Sequence, residues 1–302
     1  MSAETTLAPS SEAERPPGLP SRVWQALVES DMLHHGSFVV GAAMVAVVLL
    51  CALLADVIAP YSPFDTASLA NLQPPSTAHW LGSDEFGRDI LSRIIYGARI
   101  SLQVAVISVG IGMTLGSAIG LIAGYYGGLL DGVLMRLLDV LWSFPAILLA
   151  LVVMASLGPN LNSAMIAIGI IFIPIFARVA RAAALVVVKN QYVEAARAIG
   201  LSDAAIILGE VLPNALPPIL VQTTLAISYA IILEAALSFL GLGAQPPAPS
   251  WGSMLNFGRG YMAFAPWTAL APGLAIFWAV LGFNLLGDGL RDLLDPRLRR
   301  VL

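Results

Sequence analysis

Long apolar runs separated by short polar segments are the main feature of this chain. A helix needs about 20 mostly apolar residues to cross a bilayer, and runs of that kind lie between the charged residues at six places. We place the spans at residues 38–59, 101–124, 140–157, 162–182, 216–240 and 266–287. The pattern predicts an all-α, polytopic membrane protein with six transmembrane helices. A transmembrane domain over 38–302 follows a polar N-terminal tail over 1–37.

The third and fourth spans come from one long uncharged stretch. No charged residue occurs from Val140 to Ala177, which is too long for one helix and long enough for two. Gly158, Pro159 and Asn160 interrupt this stretch, and such residues favour a turn. The sequence therefore predicts two helices joined by a short loop.

The composition agrees with lipid as the main solvent. The chain is 58% hydrophobic and 11% charged, with a mean hydropathy of +0.84, whereas soluble domains carry about 25% charged residues. The net charge of −4 gives no reason to expect nucleic-acid binding. The single cysteine, Cys51, lies in an apolar run, so neither an intrachain disulfide nor a cysteine metal site is expected.

The distribution of arginine and lysine predicts the orientation. With the N-terminus inside, 11 of these residues fall in inner segments and four, Arg88, Arg93, Arg99 and Arg259, in outer ones. Positive charge is concentrated on the cytoplasmic side of membrane proteins, so both termini and the 190–214 loop are expected there. Three of the outer arginines count mildly against this; we assign them to a helix lying along the interface before the second span.

Two features inside the spans suggest close contacts. Glycines recur every fourth residue at positions 112, 116, 120, 124 and 128, which predicts a tight helix–helix seam within the subunit or against a partner. Glu234 is the clearest charge inside a span, and such a group is costly in lipid. It is interpreted as a structural partner at an interface, as part of the translocation path, or as an exposed helix end.

The polar loop between the fourth and fifth spans is expected to fold as a helix–glycine–helix elbow. Residues 191–198 favour a helix, Gly200 can end it in the left-handed conformation, and Ser202 can cap a second helix. Pro213 is expected to stop that second helix. Glu194 and Arg197 form a possible i,i+3 pair. From the residues alone, the elbow is either a docking element for a soluble partner or an amphipathic loop resting on headgroups.

The chain has no phosphate-binding motif of its own. A P-loop ends in Gly-Lys-Ser/Thr, and the only lysine, Lys189, has no neighbouring glycine. The histidines, His34, His35 and His79, form no visible metal cluster with carboxylates. No catalytic, metal or cofactor site is therefore expected in this chain.

Four ordered stretches together resemble importer-type ABC transporter permeases, specifically the C-type subunit of the dipeptide/oligopeptide/nickel group. They are HWLGSDEFGRDILSRIIYGARISL at 79–102, DVLWSFP at 139–145, YVEAARAIG at 192–200 with LPN at 212–214, and EAALSFLGLGAQPPAPSWG at 234–252. The resemblance covers most of residues 38–300 and implies the permease fold with a cytoplasmic coupling helix.

The resemblance also implies partners and a role. These are a homologous permease subunit, two ATPase subunits that bind ATP and Mg, and an extracytoplasmic binding protein, all acting at the bacterial inner membrane. The implied ATPase-coupling residues are Glu194, Ala195, Ala196, Arg197 and Gly200, with Ala196 seated in a groove of the ATPase. Peptides are the expected cargo, with nickel chelates or another small solute as the alternative. A secondary carrier and a scaffold without transport are less favoured.

Overall fold

The computed structural model describes residues 36–66 and 71–294, and every regular element in these ranges is helical. The predicted tail lies outside the described residues except for its last two positions. Besides the α-helices, a π turn lies at Ile207–Val211 and a 3-10 turn at Arg259–Tyr261. The helices are α1 (Gly36–Leu53), α2 (Ala55–Ile58), α3 (Ile90–Tyr126), α4 (Gly128–Trp142), α5 (Ala146–Leu157), α6 (Leu161–Val187), α7 (Gln191–Ala198), α8 (Asp203–Ile206), α9 (Leu212–Phe239), α10 (Trp251–Gly258) and α11 (Trp267–Leu294).

Five helical segments of the described chain are long and apolar enough to cross a bilayer, or six if α4 and α5 count as one bent span. The five are α1, α3, α6, the continuous segment Asp203–Phe239, and α11. The prediction of an all-α polytopic membrane protein is confirmed. The third span, predicted at 140–157, differs most from the structure.

The helix is broken within that third span. α4 ends at Trp142, α5 begins at Ala146, and the two axes meet at 88°. Pro145 has no N–H to donate, and a proline disfavours the helical conformation of the residue before it. The 12 residues of α5 rise only about 18 Å, which is short of a hydrocarbon core of about 30 Å.

Two other helix ends also differ from expectation. A separate interfacial helix before the second span does not form, because α3 runs unbroken for 37 residues from Ile90. It contains no proline, and its first turn is capped by Asp89, which accepts from the Ser92 N–H at 2.8 Å. Pro213 does not stop a helix either. It lies in the first turn of α9, where a missing N–H is tolerated.

The predicted glycine seam lies inside this subunit, between α3 and α6. A Cβ added at Gly116 would be 2.5 Å from the Ile173 carbonyl oxygen, and one at Gly124 would be 2.7 Å from the Ala184 Cβ. Gly112 and Gly120 face α6 in the same way. The prediction is wrong for Gly128, which begins α4 and has none of the described residues within 4 Å of an added Cβ. The Ser108 hydroxyl also donates to the Met165 carbonyl across the seam at 3.0 Å. The two helices therefore pack backbone against backbone.

The first and last long helices pack together by the same means. A Cβ at Gly282 in α11 would be 2.9 Å from the Met44 Cβ in α1, and the Trp278 indole donates to the Met44 carbonyl at 3.2 Å. α9 contacts both α11 and the α3–α6 pair. The elbow consequently lies between two helices, α6 and α9, that are held in one bundle.

Candidate coupling site

The elbow, residues 191–206, folds as its local sequence predicts. α7 ends just before Gly200, whose φ of +83° is the left-handed conformation that glycine adopts without strain. The Leu201 N–H then bonds to the Ala196 carbonyl at 3.1 Å. Ser202 caps α8 by accepting from the Ala205 N–H at 3.3 Å. Gly200 and Ser202 together set the angle between the two short helices.

One face of the elbow packs onto the bundle and the other is exposed. Val193, Ala196 and Ile206 are buried in the subunit core, Ala196 being only 6% exposed. Ala196 therefore faces its own chain rather than an external groove as expected, and it is small because α7 lies close to the bundle. Glu194 and Ala195 are exposed, and the space beside Gly200 is open.

The exposed face carries an apolar tip that the sequence reasoning missed. Ile199 is 78% exposed and Leu201 44%, and Tyr192 is exposed on the same short element. Their signal in the sequence was present, since two aliphatic side chains flank a helix-ending glycine in a polar loop. We call Tyr192, Ile199 and Leu201 the apolar tip.

Arg197 contacts a residue of α3 and not Glu194. Its guanidinium lies 4.9 Å from the ring centre of Tyr125, and its Nε donates to the Tyr125 hydroxyl at 3.4 Å. The same hydroxyl donates to Asp203 Oδ1 at 2.6 Å. Among the described residues, 36–66 and 71–294, Arg197 forms no ion pair with Glu194, so the predicted i,i+3 pair is absent. Arg197 instead joins the elbow to α3.

Ion pairs also fasten α4 to the same end of α6. Arg181 donates to Asp131 through Nη2 at 2.6 Å, and Arg178 donates to Asp139 at 2.9 Å. Arg178 also lies 4.6 Å from the ring centre of Trp142. These contacts hold α4 across the α6 end from which the elbow leaves.

Glu234 lies at the opposite end of the bundle and is 1% exposed. Ser238 donates to its Oε1 at 2.7 Å, and Ser101 of α3 donates to its Oε2 at 3.2 Å. The Ser238 hydroxyl in turn accepts from the Ala244 N–H at 3.2 Å. An exposed helix end is therefore the wrong interpretation. These contacts support the structural one, in which the carboxyl group joins α3, α9 and the loop after α9.

With the site described, the chain can be compared with known proteins. The family described as binding-protein-dependent transport system inner membrane component matches residues 116–300, more than half of the chain. The chain belongs to this family. A second family, the N-terminal transmembrane domain of oligopeptide transport permease C, matches residues 24–75. We refer to the chain below as the permease.

Individual relatives agree with the family assignment. The permease is 46% identical to the dipeptide transport system permease protein DppC of Alkalihalophilus pseudofirmus, over 86% of each chain. It is 47% identical to the glutathione transport system permease protein GsiD of Pectobacterium atrosepticum, over 91% of this chain and 92% of the relative. A solved structure of the MetNI methionine ABC transporter aligns with a TM-score of 0.56 at 19% identity, over 68% of this chain and 98% of that one. This last likeness concerns the fold alone.

The end of the permease opposite the elbow is built around a buried ion cluster. Asp84 pairs with Arg88 at 2.7 Å and with Arg93 at 3.3 Å, and His79 contacts Asp89 at 3.0 Å. Burial raises the pKa of the adjacent Glu85 carboxyl group. Arg88 and Arg93, two of the arginines that count mildly against the predicted orientation, are thus buried in ion pairs with Asp84.

An apolar groove of about 390 Å³ opens between α3 and the start of α9. Its walls include Met113, Leu121, Ile207 and Leu216. Ser117 also lines it, with a buried hydroxyl that has no hydrogen-bond partner within residues 36–66 and 71–294. The groove lies on the same half of the bundle as the elbow, since α9 begins directly after the π turn.

Proposed function

We propose that the permease forms half of the translocation path of an ATP-driven importer of di- and oligopeptides, together with a homologous subunit. The relatives described above, which are permease proteins of a dipeptide and a glutathione transport system, support this cargo class. Glutathione is itself a small peptide and is the second candidate. The observation that carries the coupling part of the proposal is the apolar tip, which is exposed on an elbow whose second helix is capped by Ser202.

The elbow is the surface on which a separate ATPase acts. An exposed isoleucine and leucine on a polar loop are suited to a pocket on a soluble partner, because apolar area removed from water is the main driving force for association. Glu194 and Ala195 border the tip and complete the docking face. Gly200 fixes its angle, whereas Ala196 and Arg197 hold the elbow against the bundle. ATP and Mg are bound by the partner and not by this chain.

The elbow is cytoplasmic in this proposal, as are both termini, and the ion-cluster end faces the extracytoplasmic binding protein. ATP binding closes the ATPase pair, the two elbows move with it, and the spans change from inward-facing to outward-facing. The binding protein then releases its cargo into the cavity between the two permease subunits.

Docking is tested with two matched substitutions in the tagged permease expressed with its partner subunits. Ile199→Ser removes the most exposed side chain of the tip, and Leu129→Ser removes an even more exposed leucine in α4. We expect the ATPase to be lost on purification of Ile199→Ser and retained with Leu129→Ser. Equal recovery of the ATPase with both variants would contradict docking at the tip.

Orientation is tested by labelling intact cells with a membrane-impermeant thiol reagent. Cys51 is the only native cysteine, so Cys51→Ser gives a background without thiols. Ser202→Cys on the elbow is expected to remain unlabelled until the cells are opened, while Trp80→Cys at the ion-cluster end is labelled from outside. The reverse pattern would place the elbow on the wrong side for an ATPase.

Cargo is tested in proteoliposomes holding the complete importer and its binding protein. ATP-dependent uptake of labelled dipeptides, reduced by excess unlabelled oligopeptide, is the expected result. Uptake of glutathione without uptake of dipeptides would select the second candidate. Uptake of nickel chelates alone would refute the peptide class.

A further inference from the structure

We propose that Tyr125, Arg197 and Asp203 form a latch that makes the elbow move together with α3. The proposal rests on the coupling function above and assigns positioning roles to three residues. Tyr125 is the central member, because its hydroxyl donates to Asp203 at 2.6 Å while the Arg197 guanidinium lies over its ring at 4.9 Å. The latch thus joins both helices of the elbow to the end of one long helix.

Tyr125 does this from inside the subunit. It is 6% exposed, whereas Arg197 and Asp203 lie on the exposed side of the elbow. An ATPase docked on the elbow can reach the two charged residues but not the ring of Tyr125. A defect caused by removing the Tyr125 hydroxyl group therefore reports on the internal contact and not on lost docking.

The latch supplies a connection that the covalent chain lacks. The elbow is linked through residues 188–190 to α6 and through the π turn to α9, but α3 is separated from it by more than 60 positions. α3 is fixed to α6 along the glycine seam. With the latch closed, α3, α6 and the elbow are joined at three sides and move as one unit.

The connection from the elbow to α9 is more easily deformed than its connections to α3 and α6. It begins with the π turn at Ile207–Val211, a geometry that is rare in helices and often occurs at functional sites. Pro217 and Pro218 follow inside α9, and each removes one backbone hydrogen bond from the helix. Movement of the elbow is thus passed to the α3–α6 pair and absorbed at the start of α9, provided that the latch holds.

The transport test compares two tyrosines of the same helix in the complete importer. Tyr125→Phe removes the bond to Asp203 and keeps the ring, while Tyr96→Phe removes a similar bond to Asp56 of 2.8 Å at the far end of α3. The measured quantity is the number of ATP molecules hydrolysed per cargo molecule taken up. We expect about a tenfold increase for Tyr125→Phe, the loss typical of one hydrogen bond to a charged group, and no change for Tyr96→Phe.

Asp203 supplies the conservative comparison. Asp203→Asn keeps an oxygen that can accept from Tyr125 but loses the charge, so its ratio is expected to lie between those of the wild type and Asp203→Ala, whereas Asp203→Ala should behave like Tyr125→Phe. Because Asp203→Ala already removes the contact with Tyr125, together with the interaction of Asp203 with Tyr126, the double variant Tyr125→Phe/Asp203→Ala should be no worse than Asp203→Ala alone. The latch would be overturned if the increase in ATP per cargo molecule in the double variant were the product of the two single increases. Equal values for Tyr125→Phe and Tyr96→Phe would also overturn it.

A second measurement decides the latch independently of transport. A spin label at Ala204, in the Cys51→Ser background of the assembled importer, reports the mobility of the elbow. We expect a restricted line shape that becomes mobile in Tyr125→Phe and stays restricted in Tyr96→Phe. An unchanged line shape in Tyr125→Phe would overturn the latch whatever the uptake. Absence of ATP-driven uptake by the unmodified importer would instead count against the proposed function.

Discussion

Replacing Gly116 by alanine tests whether the α3–α6 seam stabilises this subunit. The added carbon would lie 2.5 Å from the Ile173 carbonyl oxygen and 2.9 Å from the Phe176 Cβ. Ordinary contact begins at 3.4 Å, so the helices must separate by about 0.9 Å at this level. The neighbouring atoms are backbone or Cβ atoms, which cannot rotate out of the way.

The magnitude follows from that displacement. A gap of about 0.5–1 Å removes a quarter to a half of the dispersion attraction between facing atoms. One methyl group forced into a packed interior costs about 1–3 kcal/mol. We therefore expect Gly116→Ala to lower the free energy of unfolding by about 2 kcal/mol, a shift of roughly 3 °C in the melting midpoint for a chain of this size.

Gly110→Ala is the matched control. Gly110 lies in the same helix, and none of the described residues comes within 4 Å of its added Cβ. Both substitutions change helix propensity by the same amount, so their difference isolates the contact across the seam. The assay is the fraction of fluorescently tagged permease that elutes as a single species after heating in detergent. Identical midpoints for the two variants would refute the seam as a close backbone contact.

The remaining predictions concern the two ends of the bundle. Glu234→Leu leaves the hydroxyls of Ser101 and Ser238 without their acceptor and should lower the melting midpoint, whereas Glu234→Gln, which keeps an acceptor, should lower it less; equal loss would contradict this. Burial raises the pKa of Glu85 in the folded state, so the wild type should lose stability relative to Glu85→Gln as pH rises from about 4.5. A difference in melting midpoint between these two proteins that is constant from pH 4 to 8 would refute it. Asn tolerates the left-handed conformation, so Gly200→Asn should retain ATP-dependent uptake, whereas Gly200→Val should lose most of it. Equal uptake by the two variants would contradict the idea that transport requires the angle set by Gly200.

The sequence was a good guide wherever one local rule decides the outcome. The lengths of the apolar runs located five long helices, because unpaired backbone N–H and C=O groups are costly in lipid and an apolar run that crosses the bilayer has few alternatives to a helix. Gly200 and Ser202 determined the elbow because a left-handed residue and a side-chain cap act over one or two turns. The spacing of the glycines predicted the seam, although not which helix would face it.

The sequence was a poor guide where two effects compete or contacts are distant. Counting charges did not detect the break at Pro145, which depends on backbone geometry rather than polarity. Arg197 contacts Tyr125 of α3 instead of Glu194. An exposed i,i+3 ion pair contributes only about 0.2–0.5 kcal/mol, less than the roughly 0.5–1 kcal/mol of a cation–π contact. The inward position of Ala196 depends on how α7 lies on the bundle, which no pattern within the elbow specifies.

α3 is long enough to connect a movement of the elbow with the ion-cluster end of the bundle. The 37 residues of α3 span about 55 Å at 1.5 Å per residue, with Tyr125 near one end and Ser101 toward the other. Ser101 and Glu234 join α3 to α9 at the ion-cluster end, whereas the apolar groove separates the same two helices at the elbow end. At the elbow end, the Tyr125–Asp203 contact joins α3 to the segment that leads into α9, so the groove lies between two joints. We therefore expect the Glu234 contacts to persist when the elbow moves, and the groove beside the π turn to change shape most.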